Sequence, residues 1–106
     1  MDETILTRNP ARGKRGVRIS RAKYAQVRAA IIATLQRRKE LTFGELGQAV
    51  AQALTKARFD GSPMWYYTCV KLDMEARKEL VVSRSGEQRV RLAEMASIKT
   101  EFAPRR

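Results

Sequence analysis

The residues best suited to chemistry are cations placed where they could meet phosphates. Arg12, Lys14, Arg15 and Arg18 crowd a stretch punctuated by Asn9-Pro10, Gly13 and Gly16. Arg84 and Arg89 bracket a turn at Ser85-Gly86-Glu87, while Tyr67, Lys71 and Lys78 recur along a helix-forming segment. A lysine or arginine beside a phosphate releases counterions whatever the sequence, whereas only a side chain inside a groove can tell one base from another. The pattern therefore predicts two roles. Arg12, Lys14, Arg15 and Arg18 would supply sequence-independent contacts, and Tyr67 and Lys71 would face bases or phosphates, with Lys78, Arg84 and Arg89 on adjacent backbone.

Other chemistries lack their residues. The chain has no histidine, which removes Ser-His and Cys-His pairs and histidine metal ligands. Cys69 is the single cysteine, so neither an internal disulfide nor a cysteine-built zinc site can form. Scattered carboxylates form no recognisable acid-base pair, and Ala11-Arg12-Gly13-Lys14-Arg15-Gly16 lacks the spacing of a phosphate-binding loop. The expectation is a protein that is not an enzyme and needs no metal or organic cofactor.

The elements that must position these cations follow from caps and periodicity. Ser62 can cap a helix whose first turn holds Pro63. Along it Trp65, Cys69, Leu72 and Ala76 fall on one stripe, which predicts the buried face and leaves Tyr67, Val70, Lys71, Met74, Arg77 and Lys78 outward. The period then changes to two: Leu80 and Val82 alternate with Val81 and Ser83, and Val90 and Leu92 with Arg89 and Arg91, predicting a basic hairpin. Upstream, a helix from Ser20 to Arg38 would bury Tyr24, Val27, Ile31 and Leu35. Leu41-Thr42 reads as a short link. Thr42 and Glu45 have capping-box spacing for a second helix burying Leu46, Val50 and Leu54. Gly44 and Gly47 within it signal either a close neighbour or simple tolerance. Thr4 to Arg8 and Val17 to Ile19 have strand character, so a hairpin or arm should precede the first helix.

Three helices followed by a basic hairpin resemble the winged-helix superfamily, over roughly Ser20 to Ala93. The stretch from Thr4 onward also resembles a small bacterial family of uncharacterised proteins with a basic N-terminal hairpin and an aromatic cluster like Trp65-Tyr66-Tyr67. That family implies no established activity. The first resemblance implies an α+β winged helix, a three-helix core with a C-terminal β-hairpin wing, here preceded by a basic arm. It also implies a duplex-DNA-binding protein or transcriptional regulator acting through the third helix, wing and arm. One departure is the link from Lys56 to Gly61, longer than the tight turn of a helix-turn-helix.

Bulk properties agree with a single folded unit. Its 106 residues divide into an arm (1–19), a domain (20–93) and a tail (94–106), in which Met95, Ile98 and Phe102 have loose helical spacing. The net charge of +11 favours polyanions. From Arg8 to Lys39 there are eleven basic residues and no acid, so half of the 22 cations sit early in the chain. Neither a signal-peptide pattern nor an apolar run of about 20 residues is present, predicting a cytoplasmic protein without a membrane span. DNA is the expected partner and RNA is left open. The alternative is a non-catalytic protein-interaction or homodimer module using the Tyr67, Val70 and Met74 face.

Overall fold

A computed structural model describes residues 3–11, 13–84 and 86–93; Arg12 and the 94–106 tail lie outside the described residues. The chain is α+β, with three helices and two small antiparallel sheets. Its elements run β1 (Thr4–Leu6), β2 (Arg18–Ser20), α1 (Arg21–Arg38), β3 (Glu40–Thr42), α2 (Phe43–Lys56), α3 (Pro63–Ala76), β4 (Leu80–Ser83) and β5 (Arg89–Leu92).

The N-terminal hairpin pairs β1 with β2, setting Ile5 opposite Ile19. Beyond the strands Thr7 extends the pairing: its amide and hydroxyl both donate to the Val17 carbonyl, at 2.8 and 2.9 Å, and the hydroxyl accepts from the Val17 amide. So tight an approach requires Gly16, because a Cβ there would lie 1.7 Å from the Thr7 carbonyl oxygen. Ser20 ends β2 and caps α1 in one residue, its hydroxyl accepting from the Lys23 amide at 3.3 Å. The arm thus enters α1 without a linker.

The first two helices bury the faces their periodicity predicts. Tyr24, Val27, Ile31 and Leu35 of α1 meet Leu46, Val50 and Leu54 of α2 in the common core. The capping box forms: the Thr42 amide donates to Glu45 Oε1 at 3.0 Å and the Glu45 amide to Thr42 Oγ1 at 3.1 Å. The segment Glu40–Thr42 is more than a link. It is the third strand of a sheet ordered β3-β5-β4, in which Val90 lies opposite both Leu41 and Val82. Leu41 is buried there, so pairing with β5 satisfies the backbone that burial would otherwise strand.

Two helices stop by the same device. Arg58 and Lys78 adopt φ of 58° and 67°, and the flanking bonds (Phe59 amide to Leu54 carbonyl, Glu79 amide to Met74 carbonyl) complete Schellman motifs with a basic residue where glycine is usual.

The expected orientation of α3 is overturned. Tyr67, Val70 and Met74 are fully buried, whereas Trp65 is 48 % exposed and Cys69, Leu72 and Ala76 are only partly covered. Both stripes are apolar, so spacing alone could not choose between them. The choice follows from long-range partners: the Tyr67 hydroxyl donates to the Phe43 carbonyl at 2.8 Å, and its ring lies 5.1 Å from that of Phe43. Gly47 makes room for it, since a Cβ there would sit 2.9 Å from Tyr67 Cε2.

Candidate nucleic-acid interface

Two of the candidate binding residues are interior. Tyr67 is fully buried, and burial pushes its phenol well above the usual range. Lys71, 3 % exposed, spends its ammonium on Glu75 Oε1 at 3.0 Å and Gln88 Oε1 at 2.9 Å, with its Nζ 5.3 Å from the centre of the Phe43 ring. Neither can enter a groove. A lysine buried with an anion, an amide oxygen and an aromatic face is a structural cation, held because its partners replace the water it lost.

The Glu75 carboxylate is shared. Arg84, just after β4, donates to Glu75 Oε2 at 2.8 Å. Burial alone would raise this carboxyl, but the hydrogen bonds from Arg84 and Lys71 outweigh it and hold the group below its ordinary value. Lys71, Glu75 and Arg84 therefore tie the hairpin of β4 and β5 to one side of α3.

The other side of α3 holds the arm through Asp73, a residue outside the candidate set read from the sequence. Fully buried, this carboxylate accepts from the Arg8 amide at 2.9 Å, from Arg77 Nε at 2.8 Å and from the Tyr24 hydroxyl. Desolvation, then the bond to Asp73, raises the Tyr24 phenol far above its usual range. Residues two apart on a helix diverge by about 200°. Asp73 and Glu75 accordingly anchor the arm and the β4–β5 hairpin on opposite flanks, with the partly exposed Trp65, Cys69, Leu72 and Ala76 stripe between them.

The remaining candidates are at the surface. Lys14, Arg15 and Arg18 are exposed on the arm, where an Asn9 side chain accepting from the Ala11 amide and a Lys14 amide donating to the Ala11 carbonyl shape the turn. Lys78 is exposed beyond α3, and Arg89 and Arg91 project from the solvent side of β5. Arg91 was missed as a site residue, although its alternation with Val90 and Leu92 was visible. The acids of α3 and the turn after it are taken up by the fold: Asp73 holds Arg77, Glu79 holds Arg28 at 3.0 Å, and Glu75 holds Lys71 and Arg84. Among the described residues, Lys14, Arg15, Arg18, Lys78, Arg89 and Arg91 have no carboxylate within 4.0 Å. Burial raises the Cys69 thiol, which disfavours the reactive thiolate.

Among the described residues no three histidines, cysteines or carboxylates gather as metal ligands, and no helix is long and apolar enough to cross a membrane. No curated protein and no solved structure matches the chain. A family model does match residues 4–90, spanning the arm, the three helices and most of the β4–β5 hairpin, and by that match the chain belongs to the family of unknown function DUF6958.

Proposed function

We propose that this chain is a winged-helix-like nucleic-acid-binding protein that grips duplex DNA by its phosphates, using arm and wing with α3 between them. The observation that carries the reading is the fixing of two basic hairpins to opposite flanks of one helix, through Arg8 to Asp73 and Arg84 to Glu75. Cations without carboxylate partners on both hairpins support it, because a polyanion can meet them without first displacing a carboxylate. Binding in this form is weakly sequence-selective: Tyr67 and Lys71 are withdrawn, and the outward stripe of α3 is mostly apolar.

The test is a titration of labelled duplexes of different sequence at several salt concentrations. Replacing Lys14, Arg15 and Arg18 with alanine should weaken binding alike on every duplex and flatten the plot of log affinity against log salt by about 0.9 per lost phosphate contact. An unchanged slope would end the reading. Lys71→Ala should lower stability and leave sequence preference alone. The runner-up, a protein-interaction module, no longer has the Tyr67, Val70 and Met74 face available. It rests on the outward stripe with Trp65 half exposed, and sedimentation of the nucleic-acid-free protein would reveal it as self-association.

A further inference from the structure

Trp65 is the largest apolar side chain that the fold leaves in water. It is 48 % exposed in the first turn of α3, beside the 44 % exposed Met64. Such a ring usually either caps a core or waits for a partner, and this one caps nothing, since Tyr67, Val70 and Met74 already close the interior. It is nonetheless held. Its ring packs edge to face on Tyr66 at 5.0 Å, and Tyr66 packs edge to face on Phe59 at 5.1 Å. Phe59 in turn is fixed by the Schellman turn that ends α2 and is packed against the core. The Lys23 ammonium lies 5.3 Å from the Tyr66 ring centre, giving the cluster a cationic edge. Asp60 is paired with Lys23 at 3.7 Å, while Lys56 and Arg58 of the same link have no carboxylate within 4.0 Å among the described residues. The first turn of α3 carries no acidic residue, so the positive end of its dipole is uncompensated.

A braced, half-exposed indole at the uncompensated positive end of a helix, with Lys56 and Arg58 on the link that also carries Phe59, matches one ligand chemistry: a flat π-face flanked by phosphate. We propose that Trp65 is a stacking site for an unpaired nucleobase, so that nucleic acid, DNA or RNA, with a single-stranded or locally opened segment gains a contact that intact duplex does not make. This rests on the nucleic-acid reading above and deepens it. Charge complementarity favours this occupant over an apolar protein surface, and stacking on one ring tolerates any base because every base has a π-face.

The experiment uses the full chain, in which Trp65 is the sole tryptophan and its emission reports the site directly. Titration with an oligothymidylate and an oligouridylate should quench and shift that emission, whereas inorganic polyphosphate, a polyanion without bases, should bind and leave it unchanged. Trp65→Ala should weaken single-strand binding by about 5- to 150-fold at an unaltered salt slope. Trp65→Phe should recover most of the loss. Single strands that bind without touching the emission, a blunt duplex that quenches as strongly, or an alanine variant that binds like the parent would each overturn the stacking site while leaving phosphate binding standing. No binding of any polyanion would overturn both. A Trp65-dependent self-association that excludes single strands would overturn the stacking site alone.

Discussion

The buried carboxylate of Asp73 accepts a hydrogen bond from the backbone amide of Arg8 at 2.9 Å, across 65 residues of chain. A backbone amide offers the same donor whatever residue stands there, so the arm is held by its main chain and the Arg8 side chain stays exposed. Where β1 leaves the sheet the arm is thus pinned to one acid in α3, which also organises Tyr24 and Arg77.

Asp73→Ala should cost about 3 to 5 kcal/mol in urea unfolding, because it leaves a buried hydroxyl, an amide and a guanidinium without their acceptor. Tyr24→Phe removes one donor of the set and should cost less, about 1.5 to 3 kcal/mol. Hydrogen exchange at the Arg8 amide should quicken in the alanine variant, and unchanged protection there would mean the arm is held otherwise.

The phase of α3 can be read from two truncations. Met74→Ala empties a fully buried site and should cost about 2 to 5 kcal/mol, whereas Leu72→Ala, on the partly exposed stripe, should cost about 1 kcal/mol or less. The reverse order in denaturant midpoints would restore the face that periodicity suggested.

Two glycines in α2 should respond oppositely to alanine. At Gly44 nothing lies within 4 Å of the new Cβ, so the variant should gain about 0.5 to 1 kcal/mol from helix propensity. At Gly47 the methyl would press on the Tyr67 ring at 2.9 Å and on Met64 Cε at 3.1 Å. Overpacking costs about 1 to 3 kcal/mol, so thermal unfolding should show a net loss despite the better propensity.

Glu75 makes stability sensitive to acid. Its carboxyl is lowered in the folded protein, so the stabilisation is complete above the ordinary value of 4.5 and is lost as pH falls through the lowered one. Glu75→Gln should be less stable than the parent at neutral pH, and the two unfolding curves should converge on acidification. A gap that persists below that range would assign the effect to packing instead of charge.

Three helices, both hairpins and the buried faces of α1 and α2 are legible in the chain, because Ser20, Thr42 and Ser62 cap from within their own first turns and strand alternation is local. The exposed arm cations and Arg89 are legible for the same reason: dense like charge stays in water. Three matters needed tertiary structure. The Leu41-Thr42 link became a strand only because β5, some fifty residues on, lay beside it. Gly47 proved to be a close approach and Gly44 a tolerated one, according to where the Tyr67 ring landed. The face of α3 turned inward because Lys71 and Asp73, which mark a solvent face in any local pattern, found Gln88, Phe43, Arg8 and Tyr24 from distant segments. Burying a charge is unfavourable until such partners arrive, and only the folded chain brings them.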